Sequence, residues 1–340
     1  MKGNKVISIS LIIIVIFLFG VVLREARSIF FPFFLAIFLS FILYPVLDFL
    51  TRIKVPKSLS IIFLIIVTFL VIYLLGSLFY SSGKNFAEEL PKYSKKVDEI
   101  LTSIHMRLKI HFPNLKPLDW MAQLDLGKIG GFVFSSMGPF FSFISNLFLV
   151  FIFLLFILAG RGNIKEKVEK YLSKQRAAQI FEMIKKIDNQ IQRYLAIKTL
   201  VSFITGLMAT VILLFFGVDF AIVFGFMTFL LNYIPNIGSF IATVFPVTIA
   251  VFQFETIWPA FWILLILILI QQVMGNFVEP RLMGEGLGLS PLFVLFALFF
   301  WGWLWGIAGM ILAVPIVAII KIICNNIPEL KFLAVLMSKE

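Results

Sequence analysis

The chain has 340 residues, 61% of them hydrophobic and 14% charged, with a formal net charge of +11 and a mean hydropathy of +1.05. A soluble domain is closer to about 45–50% apolar and about 25% charged, so a water-soluble globular fold is excluded and an all-α, polytopic membrane protein is predicted. The single cysteine, Cys324, rules out an intramolecular disulfide or a multi-thiolate metal site. His105 and His111 fit no metal-ligand spacing, so no cofactor and no metal are expected.

The apolar run Val6–Leu23 follows Lys2 and Lys5. It is longer than an ordinary signal core and lacks a small-x-small cleavage site, so it reads as an uncleaved first span. Further spans are predicted at 28–50, 58–80, 139–160, 196–216 and 256–276, each long enough for a hydrocarbon core of about 30 Å. The link "TRIKVPK" at 51–57 holds three bases and no acid. A polar region at 84–130 holds eight Lys/Arg and six Asp/Glu, and Val97, Ile100, Leu101, Ile104 and Leu108 recur in it at helical spacing. A second polar region, 161–198, holds ten Lys/Arg and four Asp/Glu. There Ile180, Met183, Ile187, Ile191 and Leu195 mark an amphipathic helix that runs straight into the next span.

Bases near span ends collect on the cytoplasmic side. The rule places the N-terminus, "TRIKVPK" and 161–198 in the cytoplasm and 84–130 outside, the crossings then leave the C-terminus inside, and the rule accounts for the net charge without nucleic acid. The expected organisation is 1–83 (three spans), 84–138 (polar, extracytoplasmic), 139–160 (fourth span), 161–198 (basic cytoplasmic helices), 199–322 (core) and 323–340 (cytoplasmic tail). About eight apolar segments result.

Two of these segments are too long and too broken for one helix. As a straight helix 219–252 would run about 50 Å, yet "NYIPNIG" interrupts it with Pro235 and Gly238. Half-helices at about 219–231 and 237–252 follow. The stretch 290–321 is broken in the same way by "WGWLWGIAG". At an offset of 71, Gly217 aligns with Gly288, Gly238 with Gly309 and Ala242 with Ala313, while Pro246 and Pro315 are out of step by two. Each stretch is either a re-entrant hairpin or a single crossing. In the first case 276–291 lies in the cytoplasm and the two hairpins have opposite orientation. In the second it lies outside. Paired broken helices in corresponding positions point to a secondary-transport site.

Polar residues in this half are few. Asn232, Tyr233, Asn236, Gln272, Asn276, Glu279 and Arg281 are the candidate substrate groups, since a polar group in apolar surroundings costs a few kcal/mol unless bonded. Gln272 and Asn276 share a helix face at i, i+4. The alternative for these residues is interhelical hydrogen bonding, and for Glu279 and Arg281 a structural ion pair. "GEGLG" lacks the lysine and helix context of a phosphate loop. Pro280, Gly284, Gly286 and Gly288 are therefore predicted hinge residues.

The motifs "LNYIPNIGSFIATVFP", "NFVEPRLMG", "LGLSP" and "GIAGMILAVP", in this order, resemble the autoinducer-2 exporter family of bacterial and archaeal permeases. The similarity extends over residues 20–322 and includes Pro45, "RIKVPKSL" and "QRYLAIKTL". The resemblance implies an inner-membrane, homo-oligomeric transporter among lipids. Its substrate would be a small organic signalling metabolite moving outward, or sodium or lithium exchanged for protons. It marks Asn232, Tyr233, Pro235, Asn236, Gly238, Asn276, Glu279, Pro280 and Arg281 as the functional core. No enzyme motif accompanies it. The mechanism expected is alternating access, with substrate held between Asn232/Asn236 and Gln272/Asn276. The rival reading is a non-transporting scaffold or sensor acting through 84–130 and 161–198.

Overall fold

The computed structural model describes residues 10–11, 14–15, 18, 20–111, 147–160, 173–235, 237–283 and 288–338. Among these the chain is helical, and its β structure is one isolated bridge. Residues 20–25 are helical and lead into α1, Arg27–Arg52. There follow α2, Lys57–His111, α3, Leu147–Gly160, and α4, Lys174–Phe215. The broken stretches come next: α5, Ala221–Leu231, and α6, Ile237–Gln253. α7, Trp258–Val273, passes through a π-helical turn, Met274–Val278, into α8, Glu279–Met283. α9, Pro291–Asn326, and α10, Lys331–Leu336, complete the described chain.

Among the described residues five stretches are long and apolar enough to cross a membrane: Arg27–Arg52, Lys57–Asn85, Ala177–Phe215, Trp258–Met283 and Pro291–Asn326. The expected all-α polytopic architecture is therefore the observed one. The span predicted at 58–80 and the amphipathic helix at 97–108 differ from expectation in one respect. They form a single helix of 55 residues, about 80 Å long at 1.5 Å per residue. Polarity changes what surrounds a helix without breaking its backbone bonds. Glu88, Glu89, Lys96 and Glu99 are good helix formers, and Lys84–Glu88 and Lys96–Glu99 pair along the helix at 3.9 and 3.5 Å.

Both broken stretches fold back. A straight α9 of 36 residues would separate its ends by about 54 Å. Instead Lys321 Nζ, near the end of α9, donates to the Gly288 carbonyl just before its start, at 2.9 Å. The reversal lies at Gly306, with φ 67° and ψ −148°, a conformation that only glycine adopts cheaply. In the first stretch Gln253, the last residue of α6, donates to the Gly217 carbonyl at 2.7 Å and accepts from the Asp219 N–H at 2.9 Å. Each stretch is thus a helical hairpin whose base is tied by a side chain of its second arm.

The bases sit at opposite ends of α7–α8. The first precedes Trp258 and the second follows Met283. The 26 residues between them span about 39 Å. The hairpins therefore point in opposite directions. One hydrophobic cluster holds Leu231, Ile234 and Ala242 of the first together with Trp301, Leu304, Trp305 and Leu312 of the second. Phe31 of α1 meets Trp305 edge-on and Phe34 meets it at a tilt, at centroid distances of 5.9 and 5.3 Å.

The first hairpin is seated on α4 by small residues. A Cβ on Gly225 would lie 1.6 Å from Thr210 Oγ1, and one on Gly206 would lie 2.6 Å from the Gly225 carbonyl oxygen. Such close backbone approach is how helices associate where lipid supplies no hydrophobic drive. It also fixes the antiparallel register of α5 on α4. One to two turns further along the pair, Asn232 meets Ser202 and Tyr233 meets Thr199.

Candidate functional site

The polar groups that this register gathers lie on one face of α4. Lys198 and Thr199 occupy one turn and Ser202 the next. Thr199 Oγ1 and the Tyr233 hydroxyl are 2.7 Å apart. Asn232 Nδ2 donates to Ser202 Oγ at 3.0 Å. Tyr233 is 3% exposed, its ring held edge-on by Phe38 and Phe229 with centroids at 5.8 and 6.0 Å. Pro235 and the abutment of Gly238 on the carbonyl of Leu231 build the turn that presents Asn232 and Tyr233.

Lys198 Nζ donates to both carboxylate oxygens of Glu279, at 2.7 and 2.9 Å. The side chains are 8% and 19% exposed. A buried charge is tolerated when it is paired and hydrogen-bonded, and this pair meets both conditions. Tyr194, also buried, lies within electrostatic reach of Glu279 and Tyr233. Among the described residues no buried side-chain nitrogen or oxygen lacks a partner. Nor do three His, Cys, Asp or Glu side chains gather there as metal ligands would.

The π-turn aims Glu279. The buried face of α7 runs Ala260, Ile263, Leu267, Ile270, Met274, at the three-and-four spacing of one helix side. A regular helix would next turn Phe277 or Val278 inward. The Glu279 N–H bonds back five residues, to Met274 O. The register therefore slips by one, Phe277 is left 60% exposed, and Glu279 faces α4. Single π-turns of this kind recur at functional sites.

The expected site residues do not all converge. Asn232, Tyr233 and Glu279 are brought to α4, while Pro235 and Gly238 lie in the hairpin turn that presents the first two. Gln272 and Asn276 are exposed and hydrogen-bond to each other. They lie on the face of α7 opposite its buried series, away from Asn232, so a substrate held between the two pairs does not match this arrangement. Arg281 is exposed and makes no ion pair among the described residues. The partner of Glu279 is Lys198 and not its neighbour. Pro280 is exposed, and Gly288 has φ 51° and is held by Lys321. Asn236, Gly284 and Gly286 lie outside the described residues.

Sequence reasoning missed Lys198, Thr199 and Ser202. The available signal was a lysine two residues inside the span predicted at 196–216. Lys198 also closes the basic region 161–198, and bases at span ends ordinarily report topology, which masks it.

Opposed hairpins packed on long apolar helices, with a largely enclosed ion pair beside hydroxyl and amide groups, define a multi-pass helical membrane transporter in a lipid environment. The chain belongs to the AI-2E transporter family, whose model, described as AI-2E family transporter, matches residues 11–329. It is 32% identical to the AI-2 transport protein TqsA of Escherichia coli K12 over 338 residues, 99% of this chain and 96% of TqsA. A Borreliella burgdorferi relative, whose name proposes transport without naming a substrate, is 33% identical over 341 residues, 99% of this chain and 92% of its own length. YhhT of the same Escherichia coli strain is 28% identical over 323 residues, 94% of this chain and 90% of YhhT.

Proposed function

We propose that this chain is a secondary transporter that exports a small polar organic metabolite of the autoinducer-2 type by alternating access. The observation that carries the reading is the polar face of α4. There Lys198–Glu279, Thr199–Tyr233 and Ser202–Asn232 join the tip of the first hairpin to the π-turn. The ion pair cancels its own charge. The remaining groups offer hydroxyl and amide donors and acceptors, which suit a hydroxylated solute rather than a bulky apolar one. The substrate type is taken from the name of TqsA, to which the chain is similar over nearly its whole length.

The hairpins supply the moving parts. Their tips share one core cluster while their bases lie at opposite ends of α7–α8, so rocking of one against the other would open the site to either side in turn. The bases at 52–57 and 161–198 orient the protein in the plasma membrane with both termini cytoplasmic. The first hairpin then dips in from outside and the second from inside, and the protein works as a homo-oligomer. A second reading, sodium or lithium exchanged for protons, is favoured by one observation, a partly buried carboxylate whose partner is itself a cation.

Proteoliposomes distinguish these readings. Wild-type protein and Glu279→Gln are reconstituted with an internal pH dye, and a sodium pulse and a labelled autoinducer-2-type metabolite are given in turn. Metabolite flux without a sodium-driven pH change, reduced in Glu279→Gln while membrane insertion persists, is the expected result. A sodium-driven pH change lost in the variant would replace export by antiport. Full metabolite flux in Glu279→Gln at wild-type protein levels would remove Glu279 from the mechanism.

A further inference from the structure

The segment after α9 does not leave the core. α10 has only six residues, too few to hold helical structure alone in water, so its place depends on what anchors it. Buried side chains and one backbone bridge anchor it. Ala334 and Met337 are buried, at 0% and 4% exposure, and Met337 shares a core cluster with Ala313 and Val317 of the second arm of α9. The Ser290 N–H donates to the Met337 carbonyl at 2.9 Å. Leu289 pairs with Ser338 in the antiparallel bridge.

These contacts close over the base of the second hairpin. Gly288, bonded to Lys321, directly precedes the two residues that the segment grips. Val317, Lys321 and Cys324 follow one another at four and three residues, on one face of the second arm. Lys321 and Cys324 are 3% and 4% exposed. The opposite side of the segment is open, with Phe332, Val335 and Leu336 at 63%, 66% and 68% exposure. A short helix held by two buried side chains and a few backbone bonds is the kind of element that opens locally, before the rest of a fold.

We propose that Lys331–Ser338 is a releasable strap across the base of the second hairpin. Docked, it holds Gly288–Ser290 against the second arm of α9, on the side that carries Val317, Lys321 and the buried Cys324. Released, it lets that base part and frees the hairpin to move. The device stands on these contacts alone and is independent of which solute the protein carries.

Cys324 is the chain's only cysteine, so its labelling rate reports the strap. The full-length protein in detergent micelles is reacted with a fluorescent maleimide, beside Ser290→Pro and a deletion of residues 331–340. Ser290 has φ −62° and ψ 129° and makes no side-chain cap bond. Proline fits there without strain and removes only the N–H that reaches Met337. Labelling of Ser290→Pro is expected to be about fivefold faster than wild type, the factor set by the net worth of one hydrogen bond, and labelling of the deletion faster still. Far-UV helicity and a monodisperse elution profile establish that each variant is folded. Ser290→Pro labelling at the wild-type rate overturns the strap, whatever the deletion does.

Discussion

Gly238 and Gly309, 71 residues apart, each lie beneath a backbone carbonyl of the preceding half-helix. A Cβ on Gly238 would stand 1.8 Å from Leu231 O, and one on Gly309 would stand 2.0 Å from Trp301 O. The same offset relates Gly217 to Gly288, both at positive φ, 71° and 51°. It also relates Ala242 to Ala313, both buried. Both glycine carbonyls at the hairpin bases accept a side-chain hydrogen bond from the second arm, from Gln253 in one case and Lys321 in the other. The two hairpins are one design used twice, in opposite directions.

Gly238→Ala and Gly309→Ala should each destabilise the protein, because the obstructing atom is backbone and cannot rotate away. A loss of about 2–3 kcal/mol, as for overpacked cores, is expected in thermal melts of the purified protein. Gly275 has open space around its Cβ position. Gly275→Ala should be neutral or stabilising by up to about 1 kcal/mol through helix propensity. Equal melting temperatures for all three would contradict the close approach.

The Lys198–Glu279 pair calls for a double-mutant cycle. Lys198→Met or Glu279→Gln alone leaves its partner without a counter-charge in a site that is largely closed to water. Each single change should cost about 3 kcal/mol. The double variant should recover most of that loss, since a buried pair replaced by neutral groups is often tolerated. Additive losses in the melt would mean that the two side chains are not coupled.

The π-turn predicts opposite effects of a deletion and an insertion. Deleting the exposed Phe277 closes the wide turn into an α-turn and leaves Glu279 under Lys198, so the melting temperature should hold or rise. Inserting an alanine after Val278 rotates Glu279 by about 100°. It should then cost as much as losing the ion pair, about 3 kcal/mol. If the deletion proved the more damaging, the register argument would fail.

Gln253→Leu removes both side-chain bonds at the base of the first hairpin. The side chain is partly exposed, and water replaces part of what is lost. The expected cost is about 1 kcal/mol. Amide exchange at 217–220 should quicken while exchange in α4 stays unchanged, as measured by hydrogen–deuterium exchange with mass spectrometry.

Hydropathy and chain-breaking residues are local properties, and what depends on them was legible in the sequence. Apolar composition and run length set the membrane class, since a bilayer tests each segment by itself. Pro235, Gly238 and the "WGWLWGIAG" break marked the two interrupted stretches, since backbone chemistry is decided within a few residues. The offset of 71 already paired the glycines that the structure shows in matching roles. Whether the broken stretches cross or fold back rested on contacts such as Lys321 with Gly288, 33 residues away, which no periodicity encodes. The partner of Glu279 was likewise hidden. It lies 81 residues distant, and Glu279 faces it only because a π-turn slips the helix by one residue. The sequence alone determined what kind of solvent this chain needs and where its helices break. Only the tertiary structure decided which polar groups meet, because that depends on register between helices far apart in the chain.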